Sequence, residues 1–262
     1  MTRTASLRTL LFVPGDRPER FSKAAAAGAD VTIIDLEDAV AADAKDIARH
    51  NAVQWVDAGH YCVIRINAPG TPQIYEDLQA LAGRRCAILL PKAEDPQWIT
   101  EYMSDHPVLA LIETAAGVLA AQHIAGTRGV ERLVFGNFDL AAQLGISPDD
   151  RDALAALRSA LVLSSAAAGI APPIDGVTGS ISDEEMLVSD IAYAARLGFG
   201  GKLLIHPRQV NAASAAFAPT SNEIAWAQRI LAASVSAVAV VDGKMVDKPV
   251  IVRAQRILAR QR

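Results

Sequence analysis

The sequence predicts a single (β/α)₈ barrel, the TIM-barrel fold, followed by a C-terminal helical extension. Three observations predict this fold. Eight short apolar runs alternate with helix-like segments, the length of 262 residues lies within the usual size of one such barrel, and no GxGxxG fingerprint follows the first strand. Hydrophobic residues make up 51% of the chain and charged residues 21%, a composition that is typical of a folded domain with a sizeable core.

The predicted strands are short and almost continuously apolar, which is typical of parallel strands that are buried on both faces. In chain order they are Thr9–Val13, Val31–Asp35, Cys62–Ile66, Ala87–Leu90, Val108–Ile112, Leu133–Phe135, Gly169–Ile174 and Lys202–Ile205. Amphipathic helical patterns lie between them, among them Pro18–Ala27, Asp43–Asp57, Pro96–Asp105, Ala153–Ala168 and Ser182–Leu197. Eight such units in this length favour a closed barrel over an open doubly wound sheet.

The segment after the eighth strand is longer than barrel closure requires. It contains a predicted helix at Ser221–Ser234 with Ser221 as its N-cap, a DG turn within VSAVAVVDGKMVDKP, and a last helix around Val250–Arg260. We therefore expect a catalytic barrel over residues 1–220. Residues 221–262 are expected to act as a lid, as an oligomer contact, or as both, without forming an independent domain.

Charge and cysteine content restrict the partners that we expect. The net charge of −4 disfavours a nucleic-acid partner, because phosphate binding depends on clustered Lys and Arg side chains, but it is compatible with a small anionic substrate. Cys62 and Cys86 lie in apolar stretches, which indicates buried free thiols rather than a disulfide or metal ligands. The apolar run before Pro14 is too short for a signal peptide or a membrane span, so we expect a cytoplasmic protein without a membrane partner.

Charged or ionisable residues follow every predicted strand. In a barrel of this kind the chemistry takes place at the C-terminal ends of the strands. In chain order these residues are Asp16 and Arg17, Asp35, Glu37 and Asp38, Arg65, Lys92, Glu113, Asp139, Asp175, and His206. Charged side chains that converge on one mouth lose hydration energy unless a ligand or a metal balances them, so this pattern predicts a functional site.

Glu113 and Asp139 are the candidate metal ligands. They follow neighbouring strands, which lie about 4.8 Å apart in a sheet, so their carboxylates can share one cation. Oxygen ligands without nearby His or Cys favour a hard ion such as Mg²⁺, with Mn²⁺ as a possible substitute. The alternative interpretation is a surface position for Glu113 and a helix N-cap for Asp139.

Arg65 is the candidate for substrate recognition and catalysis, because a guanidinium group suits bidentate binding of a carboxylate or a carbonyl–carboxylate pair. The alternative is an internal ion pair with Glu37 or Asp38. Those two acids could equally hold water on the metal or orient Arg65, and Asp38 is also a candidate for a proton-transfer step.

Five further strand-end residues have weaker assignments. Lys92 either binds substrate or anchors the acidic cluster. Asp16 and Arg17, in a GDRP turn, are candidate substrate-binding residues, because such a turn can bind phosphate through helix N-terminal amides. For His206 the pattern favours a satisfied core histidine over a catalytic base, and Asp175 is expected to cap a bend.

These residues stand in motifs that resemble the citrate lyase β-subunit-like family of the HpcH/HpaI aldolase superfamily. The matching motifs, in order along the whole chain, are LLFVPGDRPERF, IIDLEDAV, VIRIN, LLPKAE, LIETAAGV, FGNFDLAAQLG, IDGVTG, GFGGKLLIHPRQV and VAVVDGKMVDKP. The resemblance implies a TIM barrel that is typically trimeric. It also implies that Glu113 and Asp139 hold Mg²⁺ and that Arg65 binds the carboxylate or carbonyl oxygens of the substrate.

The resemblance further implies a Mg²⁺-dependent carbon–carbon lyase acting on acyl-CoA thioesters of 3-hydroxy diacids, such as malyl-, citramalyl- or citryl-CoA. Asp247, within MVDKP, matches an Asp that reaches into a neighbouring subunit as a catalytic acid or base; the alternative is a turn or cap residue. Ala116 departs from the many members with Arg or Lys after ETA, which puts a phosphate or CoA contact there in doubt. Two other functions stay open: a metal-dependent aldolase acting on free 2-oxo acids without CoA, and a non-catalytic subunit of a lyase assembly.

Overall fold

Eight strands pair in parallel, each with the next along the chain, and the last pairs with the first to close a barrel. They are β1 Thr9–Pro14, β2 Val31–Asp35, β3 Val63–Arg65, β4 Ala87–Leu90, β5 Val108–Ile112, β6 Val130–Phe135, β7 Ile174–Asp175 and β8 Gly201–Leu204. The structure is a computed structural model that describes residues 3–103, 105–233, 239–241 and 244–261. The predicted TIM barrel is confirmed.

Helices follow the strands and begin at side-chain caps in several places. They are α1 Phe21–Ala25, α2 Lys45–Asp57, α3 Pro72–Leu81, α4 Pro96–Tyr102, α5 Ala115–Ala125, α6 Asn137–Leu144, α7 Arg151–Ala168, α8 Glu184–Leu197 and α9 Gln209–Phe217. Asp150 caps α7 and Asp183 caps α8, because each carboxylate accepts a hydrogen bond from a backbone N–H in the first turn. Along the described residues no helix has both the length and the apolarity that a bilayer crossing needs.

The seventh strand is much shorter than the sequence predicts. Gly169, expected to begin it, instead ends α7 with a φ of 70°, a left-handed conformation that glycine adopts without steric cost. Pro172 and Pro173 follow, and proline has no backbone N–H to donate to a neighbouring strand. Pairing is therefore confined to Ile174 and Asp175.

Apolar side chains fill the barrel interior at alternate positions of the strands. The buried interior cluster consists of Leu7, Leu10, Val31, Ile33, Val63, Ala87, Leu89, Leu109, Leu111, Val134, Ile174 and Leu203. Because side chains alternate between the two faces of a strand, residues two positions beyond these point into the barrel mouth, and residues one position away point outward toward the helices.

Asp175 is one of the outward-pointing residues, next to the inward-facing Ile174. Its Oδ1 accepts a hydrogen bond from Nε of Arg158 on α7 at 2.9 Å, and its Oδ2 accepts one from Nζ of Lys202 at 2.8 Å. All three side chains are buried. The expectation that Asp175 caps a bend is therefore wrong, because it is the centre of an ion triad between the barrel and α7.

The two cysteines are free and buried, as the sequence predicts. Burial raises the pKa of Cys62 to about 12 and that of Cys86 to about 11. Since the thiolate is the reactive form, we expect neither thiol to react measurably with Ellman's reagent at pH 8 in the native protein, and both to react after denaturation in guanidinium chloride. Rapid labelling of either cysteine before denaturation would contradict this burial.

Residues 214–262 form a second compact unit, separate from residues 1–213. It contains α10 Ser221–Ala233, an antiparallel pair of strands β9 Ala239–Val241 and β10 Lys244–Val246, and α11 Lys248–Leu258. Its apolar cluster joins α10, β10 and α11, and its buried members are Ala227, Ile230, Val246, Ala254 and Ile257.

The helix α10 begins at Ser221 as the sequence predicts, but its capping residue lies one position earlier than predicted. Thr220, not Ser221, caps the helix: its Oγ1 accepts a hydrogen bond from the backbone N–H of Glu223, and the Glu223 carboxylate accepts one from the backbone N–H of Thr220. The predicted DG turn at 242–243 lies outside the described residues. The boundary between 220 and 221 and the role as a lid or oligomer contact stay predictions.

Candidate active site

The C-terminal ends of the strands surround one cavity of about 320 Å³. Its polar residues include four acids and one base among the described residues: Asp35, Asp38, Glu113, Asp139 and Arg65. Its apolar wall includes Phe12, Leu111, Phe135, Val177, Leu203 and Ile205. Four carboxylates with one guanidinium group give an excess of negative charge in a partly enclosed space, and such a site favours a bound cation.

Strand periodicity places the polar residues at the mouth. Asp35 lies two positions beyond Ile33, Arg65 two beyond Val63, and Glu113 two beyond Leu111, and each of those three apolar residues belongs to the buried interior cluster. The same alternation that builds the core thus presents charged groups where the core ends.

Glu113 is the most buried of the predicted metal ligands, with 4% of its surface exposed. Its Oε1 accepts a hydrogen bond of 2.9 Å from the backbone N–H of Lys92. Burial, together with the negative charges of Glu37 and Asp139, raises the pKa of Glu113 to about 8, although the Lys92 N–H and the charge of Arg65 oppose the shift. A cation in the cavity would favour the ionised form of this carboxyl group.

Gly136 provides the space that Glu113 occupies. A Cβ atom at position 136 would lie 2.3 Å from Cβ and 2.9 Å from Oε2 of Glu113. We expect Gly136→Ala to lower the free energy of unfolding by about 1–3 kcal/mol and to displace Glu113, because a well-packed site has no room for an added methyl group. Urea unfolding and Mg²⁺ titration would measure the two effects.

Gly126→Ala is the matched control for this change. A Cβ atom there would have its nearest neighbours at 3.6 Å, an ordinary contact, and the φ of −79° suits an L residue. Equal stability and equal metal affinity in the two alanine variants would show that the close contact with Glu113 is unimportant.

Asp139 lies in the first turn of α6 and lines the same cavity as Glu113. The N-cap of α6 is Gly136, so the alternative interpretation of Asp139 as an N-cap is wrong. A carboxylate in the first turn is favoured by the positive end of the helix dipole. No group of three or more His, Cys, Asp or Glu side chains arranged to hold a metal occurs among the described residues, so a cation here would rely on two carboxylates plus water or substrate oxygens.

Arg65 forms a bidentate pair with Asp35, its register partner on the neighbouring strand. Nε donates to Oδ1 at 2.7 Å, Nη2 donates to Oδ2 at 2.6 Å, and Nη1 lies 3.3 Å from carboxylate oxygens of both Asp38 and Glu37. Burial opposes the charged guanidinium, but the hydrogen bond and charge of Asp35, with the charges of Glu37 and Asp38, raise the pKa of Arg65. The ion pair that we considered as an alternative is present, with Asp35 as the main partner.

This pairing limits what Arg65 can offer to a substrate. Three of its five N–H groups already donate to Asp35 and Asp38. Sequence reasoning had not assigned Asp35 a role of its own. The motif IIDLEDAV could have indicated this pairing, because its first Asp, Asp35, ends β2 and Arg65 ends β3, and the two residues are register partners. Substrate binding by Arg65 stays a prediction.

Glu37 is buried beside Arg65, and its neighbours are two lysines. Nζ of Lys92 donates to Glu37 Oε1 at 2.6 Å, and Nζ of Lys45 donates to the backbone carbonyl oxygens of Leu36 and Glu37 at 2.7 and 2.6 Å. Burial raises the pKa of Glu37, although Arg65 and Lys92 oppose the shift. Lys45, which sequence reasoning missed, holds the loop that carries the acidic residues.

Asn137 is a second residue that sequence reasoning missed. It lines the cavity, and its amide forms two hydrogen bonds with the backbone of Val177, accepting at 3.0 Å and donating at 3.1 Å. This pairing joins the ends of β6 and β7. Gly176 is required beside it, because a Cβ atom there would lie 2.0 Å from Asn137 Oδ1.

Asp16, Arg17, Lys92 and His206 are not among the residues that line the cavity. Arg17 is exposed and its Nε lies 3.8 Å from Asp16 Oδ2, and the α-helix that follows is only five residues long, so the proposed phosphate site at a helix N-terminus has no support in this geometry. His206 is half-buried rather than in the core, and its Nδ1 accepts a hydrogen bond from the backbone N–H of Arg208.

Asp247 lies in the second unit, where it is exposed and is the N-cap of α11. Its Oδ1 accepts a hydrogen bond from the backbone N–H of Val250 at 3.2 Å. The cap that we considered as an alternative is therefore present. A catalytic role for this carboxylate stays a prediction.

Comparisons with known protein families, sequences and structures all give relatives of the same kind. The chain matches the family model described as HpcH/HpaI aldolase/citrate lyase over residues 8–207. A citrate lyase subunit beta-like protein from Mycobacterium tuberculosis is 40% identical over 259 residues, which cover 95% of this chain and 94% of the relative. A (3S)-malyl-CoA thioesterase from Cereibacter sphaeroides is 38% identical over 268 residues, covering 97% and 94%. The crystal structure of CitE from M. tuberculosis in complex with magnesium, acetoacetate and coenzyme A has a TM-score of 0.87, with 39% identity and 99% coverage of each chain.

The matched region contains the residues that build the cavity. Residues 8–207 include all eight barrel strands and also Arg65, Glu113 and Asp139. The relatives align with almost the whole chain, beyond the barrel alone. The resemblance inferred from the motifs is therefore confirmed, and this chain belongs to the HpcH/HpaI aldolase/citrate lyase family.

Proposed function

We propose that this protein is a Mg²⁺-dependent carbon–carbon lyase that cleaves, or in reverse forms, a 3-hydroxyacyl-CoA thioester such as malyl-, citramalyl- or citryl-CoA. The observation that carries this proposal is the presence of Glu113 and Asp139 in one barrel-mouth cavity beside Arg65. Two carboxylates that line one partly enclosed cavity provide the oxygen ligands that a divalent cation such as Mg²⁺ takes.

The relatives support both the metal and the substrate class. The structure of the M. tuberculosis CitE contains magnesium, acetoacetate and coenzyme A, and the C. sphaeroides relative is named for malyl-CoA. The donor set of this chain fits Mg²⁺, because both candidate ligands are oxygen donors. A cation would also offset the burial and the neighbouring negative charges that raise the pKa of Glu113. Mn²⁺ accepts the same ligands.

The reaction that these residues support is a retro-Claisen or retro-aldol cleavage. A bound Mg²⁺ ion would supply positive charge that stabilises negative charge developing on substrate oxygens. Removal of the hydroxyl proton lets the adjacent carbon–carbon bond break, and its electrons pass to the thioester side as an enolate. The products are a 2-oxo acid and, after protonation of the enolate carbon, a shorter acyl-CoA.

We assign a part in this reaction to several of the candidate site residues. Glu113 and Asp139 hold the metal, and Arg65 orients the substrate carboxylate with its remaining N–H groups. Asp247 of a second copy of the chain is our candidate for the proton that reaches the enolate carbon, with Asp38 as the alternative. The role of Asp247 requires an oligomer, and we propose a homotrimer or a multiple of trimers.

A panel of CoA esters incubated with the protein and Mg²⁺, followed by mass spectrometry, tests the proposal. We expect loss of one 3-hydroxyacyl-CoA and appearance of a shorter acyl-CoA together with a 2-oxo acid. Turnover that persists unchanged in EDTA would contradict the proposal.

Thermal stabilisation distinguishes the two other functions. A ligand present at one hundred times its dissociation constant adds about 2.7 kcal/mol of stability. We expect such stabilisation by acetyl-CoA in the presence of Mg²⁺. Stabilisation by pyruvate or glyoxylate with no effect of acetyl-CoA would indicate an aldolase for free 2-oxo acids, and neither stabilisation nor turnover would indicate a non-catalytic subunit.

A further inference from the structure

Lys92 has an unusual backbone conformation in the turn that follows β4. Its φ is 48°, and it is the only residue other than glycine with a positive φ in the part of the chain that the structure describes. An L residue with a side chain is strained in this region, and such strain persists only where the surrounding structure holds it in place. Glycine would adopt this conformation without the strain.

The backbone of Lys92 contacts the proposed metal ligand. Its N–H donates to Glu113 Oε1 at 2.9 Å, while the next N–H, of Ala93, donates to the carbonyl oxygen of Leu111 at 3.1 Å. The φ torsion sets the direction of the Lys92 N–H relative to the chain that follows it. A change of φ to the usual negative region would therefore break one of these two hydrogen bonds.

The side chain of Lys92 contacts a different acid. Its Nζ donates to Glu37 Oε1 at 2.6 Å, and Glu37 has only 7% of its side chain exposed. The other oxygen of Glu37, Oε2, is buried without a hydrogen-bond partner and lies 3.3 Å from Nη1 of Arg65. The ammonium group thus provides the hydrogen bond that holds this buried carboxylate beside Arg65.

We propose that Lys92 is a positioning residue: its strained backbone fixes Glu113 and its ammonium group fixes Glu37, so that one residue links the acids that follow β2 and β5. Of the two roles that the sequence left open for Lys92, the bond between its ammonium group and Glu37 favours anchoring of the acidic cluster over substrate binding. The inference rests on the proposed function insofar as Glu113 is taken as a metal ligand.

The backbone part is tested with Lys92→Gly and Lys92→Val. Both variants lack the ammonium group, but glycine accepts a positive φ and β-branched valine does not. We expect the Mg²⁺ dissociation constant, measured by calorimetry, to be at least about tenfold higher in the valine variant than in the glycine variant, since loss of an outer partner of a metal ligand costs about 10–100-fold in affinity. Equal affinities would overturn this part. Should the valine variant not fold, Lys92→Ala replaces it in the same comparison.

The side-chain part is tested with Lys92→Met and Lys92→Arg, two residues with similar backbone demands that differ in charge. If the ammonium group positions Glu37, the methionine variant loses about tenfold in kcat with little change in KM, and arginine restores much of the loss. A raised KM with unchanged kcat would instead show direct substrate binding and overturn this part.

Glu113→Gln separates failure of this inference from failure of the proposed function. If Glu113→Gln binds Mg²⁺ as tightly as the native protein, Glu113 is not a ligand and the proposed function fails with the inference. If Glu113→Gln loses Mg²⁺ while Lys92→Val and Lys92→Gly bind it equally, only the positioning role of the Lys92 backbone is wrong.

Discussion

Glu113→Gln is expected to lower metal-dependent turnover by about 10²–10³, the usual cost of removing a preorganised group that stabilises charge in the transition state. The change keeps the shape of the side chain and its hydrogen bond from the Lys92 N–H, so folding should be little affected. It removes the negative charge that a cation needs. Steady-state kinetics at several Mg²⁺ concentrations, together with calorimetric Mg²⁺ titration, measure both consequences.

The control for this prediction is a glutamate away from the cavity. Glu185 is exposed in the first turn of α8, and Glu185→Gln removes the same charge without touching the barrel mouth. We expect its turnover and Mg²⁺ affinity to match those of the native protein. Asp139→Asn should behave like Glu113→Gln. If both cavity variants retain full activity in the presence of EDTA, the site does not work through a metal.

The barrel and the acids at its mouth could be predicted because both follow from the period of two along each strand. Leu111 and Glu113 belong to one inward-facing row, and a reader of the sequence can continue that row past the end of the strand. The same rule, applied with correct strand ends, would have excluded Asp175 from the mouth. Its position was misjudged because the seventh strand was placed too early, across Gly169 and two prolines.

The positions of the charged groups could be predicted from the sequence, but their hydrogen-bond and ion-pair partners could not. The sequence indicates that Arg65 lies near several acids, but it does not indicate which of them forms the ion pair. In the structure the main partner is Asp35, because it lies directly opposite Arg65 in the register of β2 and β3. Lys45 and the φ of Lys92 depend on how loops fold back on the strand ends, which no local pattern encodes. The catalytic role proposed for Asp247 requires a second copy of the chain, and a single sequence does not show such a contact.

The second large effect is expected on the free energy of unfolding, when the buried ion triad around Asp175 is disrupted. Asp175 lies between Arg158 and Lys202, and burial would raise its pKa, but these two cations lower it below the ordinary value. Replacing the carboxylate leaves two buried cations without a counter-charge. Loss of one partner from a buried ion pair typically costs about 3–5 kcal/mol, because the remaining charge cannot be hydrated.

Asp175→Asn is therefore expected to lower the free energy of unfolding by about 3–5 kcal/mol at pH 7, measured by urea denaturation. Because the folded-state pKa of Asp175 is depressed, its contribution is complete above the unfolded-state pKa of about 3.9 and is lost as the pH falls further. The difference between the native protein and the variant should therefore shrink below about pH 4.

Two controls separate burial from simple ion pairing. Asp57 forms a pair of the same length with Arg84, at 2.8 Å, on the exposed surface, and we expect Asp57→Asn to have little effect on stability because water screens that pair. The double variant Asp175→Asn with Lys202→Met removes one of the unbalanced cations and should recover part of the lost stability. If Asp175→Asn is no more harmful than Asp57→Asn, the buried triad contributes no more to stability than an exposed ion pair does.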